Sequence, residues 1–283
     1  MSLKAAGLLT GLVHHKGLWH VAKQVGRVVE ADQECIVPIG HLAKFRFLLK
    51  DPYWSRLICP GFQYEPEIAQ FLINAASHDY DFYDCGANFG YWSSFCSDTS
   101  FKNVNVVAVE ANPITFRWLK KNQCLNENRF ASIHRALYWE SDKILYINGV
   151  GPHQNCRVDD QVRVGNEVKT ITIDDLVKQD VRPIIIKLDI EGSEIAALEG
   201  AGRTIAGGSD CVIIYEDHGN DPSSRVTDWF IGNTTFEIVF VDDEGARHPI
   251  RSASEASMFK VKNSRGYNFF AFSENSSLRS CLL

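Results

Sequence analysis

The residues best equipped for chemistry stand where apolar runs stop. Tyr80–Cys85 is followed by Gly86-Ala87-Asn88-Phe89-Gly90, a glycine-rich turn preceded by the carboxylate of Asp84. Such a turn lets a ligand approach backbone closely and presents helix N–H groups. The apolar run Val104–Val109 stops at Glu110-Ala111-Asn112-Pro113. An acid about 20 residues beyond a glycine turn is placed to hydrogen-bond both ribose hydroxyls of a nucleoside. Ile184-Ile185-Ile186 leads into Lys187-Leu188-Asp189-Ile190-Glu191, and Cys211–Tyr215 leads into Glu216-Asp217-His218. Lys187 and Asp189, two apart on a strand, project from the same face. They either pair to buttress the strand or bring Asp189 beside a reacting group. Histidine is the natural general base near neutral pH. His218 is therefore the first candidate base, with Asp189 and Glu191 next; His134, His153 and His248 are weaker candidates.

Charge discriminates among adenosine-bearing ligands. A dinucleotide fingerprint needs G-x-G-x-x-G, whose second glycine makes room for pyrophosphate. Here Asn88 stands at that second place and the third glycine is absent. A carboxylate at position 84 would repel a diphosphate but attract an ammonium. S-adenosylmethionine has an ammonium, a sulfonium and no phosphate, so the sequence favours it over NAD. The P-loop pattern is missing. Asp189, Glu216 and His218 offer oxygen and nitrogen ligands for a divalent metal, but the expectation is that no metal is held.

These residues need a scaffold that brings strand ends together. Helix is expected over Glu65–Ala76 with Pro66 at its first position, then over Tyr91–Asp98 and Pro113–Asn122. Strands are expected over Tyr80–Cys85, Val104–Val109, Ser132–Leu137, Lys143–Ile147 and Ile184–Asp189. Further on come a short helix over Thr172–Val177 capped by Thr172, helix over Glu191–Gly200, strand over Cys211–Glu216, helix over Ser223–Ile231, and strands over Phe236–Val241 and Tyr267–Phe272. Strand alternating with helix implies an α/β fold, a Rossmann-like doubly wound, mostly parallel sheet of seven strands. Ligands of such sheets gather beyond the carboxyl ends of the strands. Two polar segments, Gly149–Asn166 and Asp242–Gly266, are read as loops that could cover an acceptor.

Four blocks together resemble one family. Asp84-Cys85-Gly86-Ala87-Asn88-Phe89-Gly90, Glu110-Ala111-Asn112-Pro113, Thr172-Ile173-Asp174-Asp175-Leu176 and Lys187-Leu188-Asp189-Ile190-Glu191-Gly192-Ser193-Glu194 are similar, in order and spacing, to the FkbM-type S-adenosylmethionine-dependent methyltransferases. Tyr64-Glu65-Pro66 and Glu216 fit as well, so the resemblance runs over about residues 62–240. Cys85 departs from the small aliphatic residue usual there. The resemblance implies O-methylation of a hydroxyl on a small molecule or glycan. It also implies that Asp84, Gly86, Ala87, Asn88, Phe89 and Gly90 cradle the methionine part of the cofactor. Glu110 would hold the ribose, Ala111, Asn112 and Ala136 would lie near adenine, and Glu65 would close over the amino-acid end. Asp189 would face the transferred methyl. Lys187, Asp189, Glu191 and His218 form the catalytic candidate set, and Glu194 is read as structural.

Composition narrows the partners. The chain has 283 residues, 29 basic and 35 acidic, for a net charge of −6. An acidic balance disfavours a phosphate-tracking nucleic-acid binder. No apolar stretch approaches the ~20 residues needed to span a bilayer. Residues 1–61 are expected to form an extension packing helix and strands on a methyltransferase domain over 62–283. Residues 1–30 read as an amphipathic helix that permits peripheral membrane contact. The eight cysteines form no C-x-x-C pair, which fits free thiols and a cytoplasmic location. Oligomeric state is not legible. The rival readings are a nucleic-acid or protein methyltransferase on the same cofactor, or a non-catalytic nucleoside-binding scaffold.

Overall fold

The computed structural model describes residues 33–148, 157–159, 165–178, 182–217, 224–260 and 267–282. The expected N-terminal helix, His153 and His218 lie outside the described residues.

Five strands form the parallel heart of an eight-stranded sheet: β3 (Tyr80–Cys85), β4 (Val104–Glu110), β5 (Ala131–His134), β10 (Ile184–Leu188) and β11 (Cys211–Glu216). Three more extend it beyond β11: β12 (Glu237–Val241), β13 (Arg247–Ile250) and β14 (Asn268–Phe272). The order is β13-β12-β14-β11-β10-β3-β4-β5, with β14 antiparallel to both of its neighbours. From β3 the chain winds outward through β4 and β5, then returns to add β10 on the other side. Strand order thus reverses between β3 and β10, the place where open sheets bind ligands.

The sheet is covered on both faces, which explains strands that are apolar without alternation. Tyr83, Ile184, Ile186, Leu188, Ile213 and Tyr215 pack in one core. Tyr80, Phe82, Ile185, Val212 and Ile214 face the other. That second face is covered by α1 (Pro66–Ala75), which buries Ile68, Phe71 and Leu72, and by α2 (Tyr91–Cys96), which buries Trp92 and Cys96. Helix α3 (Pro113–Leu125) begins at a proline, and the Asn112 side chain caps it by accepting from the Ile114 N–H at 2.8 Å. Helix α4 (Ile173–Leu176) is capped as expected: Thr172 Oγ1 accepts from the Asp175 N–H at 3.0 Å.

Four expectations are corrected. The sheet has an eighth strand, because Arg247–Ile250 pairs with β12; helix α8 (Ala253–Phe259) follows, so Asp242–Gly266 is not a plain loop. In the other proposed cover, Arg157–Asp159 forms β8 beside β7 (Ile144–Asn148). With β6 (Ala136–Leu137) and β9 (Asn166–Ile171), these strands make a second sheet of four. The strand expected over Ser132–Leu137 is broken at Arg135, its halves entering different sheets. The helix expected from Glu191 starts at Glu194 as α5 (Glu194–Glu199), because Glu191 and Gly192 have φ of 52° and 91° and turn the chain first. Glu194 Oε1 secures that turn by accepting from the Gly192 N–H at 3.0 Å and the Ile190 N–H at 3.3 Å.

Ahead of the sheet, β1 (Glu34–Pro38) and β2 (Lys44–Leu48) form an antiparallel hairpin. Its outer edge pairs with helix side chains instead of a strand. Asn122 Oδ1 accepts from the Arg46 N–H at 2.7 Å and its Nδ2 donates to the Arg46 carbonyl at 3.0 Å. Asn126 does the same for Lys44, at 2.9 and 2.8 Å. Asp98 Oδ2 accepts from the N–H groups of Leu42 and Ala43, both at 2.6 Å. Phe45 and Phe47 pack with Trp54 and Phe89, tying the hairpin to the glycine turn. The seven described cysteines are free. No helix among the described residues is long and apolar enough to cross a membrane.

Candidate active site

Strand register assembles the site. Lys187 lies level with Asp84 in the β10–β3 pairing, and Leu188 lies level with Tyr215 in the β10–β11 pairing. The next residues, Asp189 and Glu216, therefore stand side by side. Since side chains alternate along a strand, Asp84, Lys187, Asp189 and Glu216 share one face. It is the face that α1 and α2 cover. Lys187 Nζ is 2.9 Å from Asp189 Oδ2; the lysine side chain is 4% exposed and the aspartate 24%.

Glu65, just ahead of α1, completes the ring. It holds a left-handed backbone (φ 41°, ψ 66°) and makes no cap hydrogen bond to its own helix. Instead Oε2 accepts from Trp92 Nε1 at 2.7 Å. Left-handed backbone is uncommon outside glycine and costs energy, so the local fold is bent to aim this carboxylate inward. Above it the hydroxyls of Tyr53 and Tyr64 meet at 2.8 Å.

The charges do not balance. Burial alone would push the Lys187 ammonium toward neutrality, but Asp189, Glu65 and Asp84 hold its pKa above the ordinary value. Burial raises Glu65 and Asp84, with Lys187 pulling each back. Burial, then the charges of Asp189 and Glu65, hold Glu216 well above the ordinary carboxylic range. Burial and the Glu65 charge also raise both tyrosine hydroxyls, which stay neutral. Among the described residues, one buried ammonium thus faces four carboxyl groups.

The glycine turn sits beside this ring. Asp84, 2% exposed, accepts from Ser93 through the N–H at 3.0 Å and Oγ at 2.5 Å. It staples β3 to α2 beneath the turn and reaches the site through its charge on Lys187. Gly86 has φ of 85°, and a Cβ there would come 1.8 Å from the Asp189 carbonyl oxygen. Only glycine permits that approach. Asn88, at φ 52°, donates its N–H to Glu110 Oε2 at 2.8 Å, and Asn112 donates its own to Oε1 at 2.7 Å. The carboxylate, also approached by the Thr115 side chain, is left with acceptor capacity for a further donor.

The structure gathers Glu65, Asp84, Lys187 and Asp189, and it gathers Gly86, Ala87, Asn88, Glu110 and Asn112. Phe89 faces away, stacked on Trp118 at 5.2 Å. Gly90 sits against Leu119, where a Cβ would come 2.4 Å from Cδ1. Ala111 offers its carbonyl to His134 Nε2 at 2.9 Å, and that imidazole stacks on Phe116 at 4.8 Å. His134, not Ala136, ends the third strand beside Glu110. Ala136 is buried in the core of the second sheet. Glu191 is exposed on its turn. His248 bonds Asp242 at 2.7 Å on β13. Reasoning from sequence missed Tyr53, Tyr64 and the pairing of Glu216 with Asp189. Only the β10–β11 register reveals that pairing.

The donor set fits S-adenosylmethionine. A surplus of buried carboxylate suits a ligand bearing ammonium and sulfonium, and Glu110 keeps acceptor capacity for ribose hydroxyls. No group of three or more His, Cys, Asp or Glu among the described residues could hold a metal ion.

A doubly wound sheet with such a site defines the class of Rossmann-like methyltransferases. A family model described as the Methyltransferase FkbM domain matches residues 84–246. The chain belongs to that family and is an S-adenosylmethionine-dependent methyltransferase. No curated protein matches it. Among solved structures, it is similar to the methyltransferase FkbM from Methylobacillus flagellatus KT, with 17% identity and a TM-score of 0.44. That match covers 70% of this chain and 44% of the other, so the chain spans less than half of that relative. It is also similar to precorrin-6y C5,15-methyltransferase from Geobacter metallireducens GS-15 (11% identity, TM-score 0.42, 74% and 87% covered). An rRNA methylase from Streptococcus thermophilus gives 12% identity, TM-score 0.42, and 75% and 98% covered.

Proposed function

We propose that the protein is an O-methyltransferase acting on a hydroxyl of a small molecule or glycan. The observation that carries the reading is the surplus of carboxyl groups around Lys187 at the strand tips. It suits a cationic methyl donor and supplies oxygen acceptors for a hydroxyl proton. S-adenosylmethionine, when bound, supplies an electrophilic methyl group on a sulfonium.

The chain's residues bind, orient and exclude water. Glu110 holds the ribose through the lone pairs its backbone partners leave. Gly86, Ala87 and Asn88 lay turn backbone along the cofactor, and Asn112 with the His134–Phe116 stack borders the adenine. Glu65 and Asp189 receive the ammonium and sulfonium, with Asp84 supporting them through Lys187. The neutral hydroxyls of Tyr53 and Tyr64 suit a polar acceptor.

One observation favours an RNA acceptor instead. A shallow recess of about 400 Å³ is lined by Arg46, Arg117, Lys120, Lys121, Cys124 and Leu125. Yet Glu34 neutralises part of it, pairing with Lys121 at 2.6 Å and Arg46 at 3.3 Å. It also lies toward the carboxyl end of α3, away from the strand tips. The net charge of −6 weighs the same way.

Incubation with S-adenosylmethionine carrying an isotopic methyl, across panels of glycans, small alcohols and RNA, tests the reading. Label is expected in a base-stable methyl ether of a glycan or small molecule. Label in RNA alone, or in a carboxyl ester or amine, would overturn it.

A further inference from the structure

Glu65 stands at the head of α1 and does not behave as a cap. An N-cap residue usually has extended backbone and turns its side chain back over the first helical N–H groups. The Glu65 carbonyl does open the helix, accepting from the N–H groups of Ile68 and Ala69 at 3.1 and 3.0 Å. Its side chain makes no cap bond and, at φ 41°, leaves the helix. It crosses to α2, where Oε2 accepts from Trp92 Nε1 at 2.7 Å. Among the described residues that indole is the one hydrogen-bond donor to this carboxylate. The donor is itself fixed. Trp92 is 3% exposed. Its ring meets Tyr91 and Phe95 edge-on at 5.1 and 5.6 Å and stacks on Tyr64 at 5.7 Å. It follows Gly90 by two residues, and its neighbour Ser93 bonds Asp84 at the tip of β3. The indole N–H therefore has a set place beside the glycine turn, and the Glu65 carboxylate inherits it. A purely structural need would be met by less. A buried indole N–H needs an acceptor, and a neutral carbonyl would serve. Here the acceptor is a half-buried carboxylate on a left-handed residue. Such backbone outside glycine persists only where the surroundings force it, and it gathers at ligand clamps.

We propose that Trp92 is a positioning residue for cofactor binding: its indole N–H aims the Glu65 carboxylate at the ammonium of the S-adenosylmethionine amino-acid end. This rests on the placement of that ammonium at Glu65 proposed above. An indole is a donor that carries no charge. It orients the carboxylate and leaves the negative charge whole, whereas a lysine or arginine in its place would cancel the charge the ligand seeks. A hydrogen bond to an ionised acceptor is short and directional, and the remaining lone pairs stay open to a second donor. Orientation set before binding also spares the ligand the cost of ordering a flexible glutamate side chain.

Calorimetric titration of the full-length protein with two ligands tests this without turnover. S-adenosylhomocysteine carries the ammonium, and 5′-methylthioadenosine keeps the nucleoside without the amino-acid end. Trp92→Phe keeps an aromatic ring and removes the N–H. It is expected to weaken S-adenosylhomocysteine on the order of tenfold and to leave 5′-methylthioadenosine unchanged. Glu65→Gln is expected to show the same selective loss. Because the two residues act as one unit, the double variant should bind no more weakly than Glu65→Gln alone. Should Trp92→Phe fail to fold, benzothienylalanine at position 92, which matches the indole in shape but lacks the N–H, carries the same expectation. Unchanged S-adenosylhomocysteine affinity in the Trp92 variant, equal losses on both ligands, or losses that add in the double variant would overturn the proposal while leaving the cofactor assignment intact. No effect of Glu65→Gln would overturn the placement of the ammonium and this proposal with it. Binding of neither ligand to the wild type would overturn the cofactor assignment as well.

Discussion

Two buried lysine–aspartate pairs stand at neighbouring strand ends of the same sheet, and they are built on opposite plans. Lys260 Nζ meets Asp217 Oδ1 at 2.6 Å, with both side chains 2% exposed. The other oxygen of Asp217 accepts from the Thr227 N–H and Oγ1 at 3.1 and 2.7 Å. One cation answers one anion, and the hydrogen bonds are filled from within. Lys187 and Asp189 instead sit among Glu65, Asp84 and Glu216 and open toward the strand tips. Buried charge is tolerated when paired and costly when not. The first pair holds β11 to α7 (Arg225–Asn233) and α8. The second is left in deficit, which is how a site prepared for a cationic ligand differs from a structural strut. Adjacent residues, Glu216 and Asp217, fall on either side of that line.

The sharpest way to break the contrast is to neutralise each neighbour in turn. Asp217→Asn removes the carboxylate that faces the Lys260 ammonium and should cost about 3–5 kcal/mol in denaturant unfolding. Glu216→Gln should cost nothing in acid and should already stabilise the protein near neutral pH, the gain growing into alkali. The sign follows from linkage. Glu216 keeps its proton in the folded state above about pH 4.3, where the unfolded chain has lost it. Wild-type stability therefore declines as pH rises from that value toward the raised folded pKa, and the glutamine variant lacks this decline. Equal losses at both positions would erase the distinction.

Gly86→Ala tests the site's side alone. A methyl 1.8 Å from the Asp189 carbonyl must push β3 and β10 apart. A stability loss of about 1–3 kcal/mol is expected, together with weaker S-adenosylhomocysteine binding in a thermal-shift titration. Unchanged affinity would detach the turn from the site.

Asp98→Ala provides the structural control. Its hydrogen bonds from Leu42, Ala43 and Ser100 outweigh burial and bring the carboxyl down to about 2. Losing them should cost roughly 1–3 kcal/mol. Asp98 stabilises the fold fully above its unfolded pKa of about 3.9, and that contribution is lost as pH falls through about 2. The variant and the wild type should therefore converge in melting temperature at the acid end. A gap that persists there would mean that packing, not the charge, anchors the hairpin.

The parallel strands were legible because each is an apolar run that halts at a charge, and the halts at Asp84, Glu110, Asp189 and Glu216 marked the strand tips. The β1–β2 hairpin was not. Its edge is satisfied by amide side chains of Asn122 and Asn126 some 76 to 82 residues away, and nothing local announces that. Strand β9 escaped because Asn-Glu-Val-Lys-Thr-Ile buries only Val168 and Thr170, too short a rhythm amid polar sequence. The role of Glu216 depends on register, which composition does not encode. Ala136 does not end the third strand because the chain changes sheets at Arg135.

The central claim is that the strand-tip carboxyl groups select a positively charged ligand. Calorimetric comparison of S-adenosylmethionine with 5′-methylthioadenosine, which keeps the nucleoside but lacks both the sulfonium and the ammonium, tests it directly. S-adenosylmethionine should bind at least about tenfold more tightly, a difference of about 1.4 kcal/mol, and Asp189→Asn should narrow the gap. Equal affinities, or a neutral ligand preferred, would contradict the account.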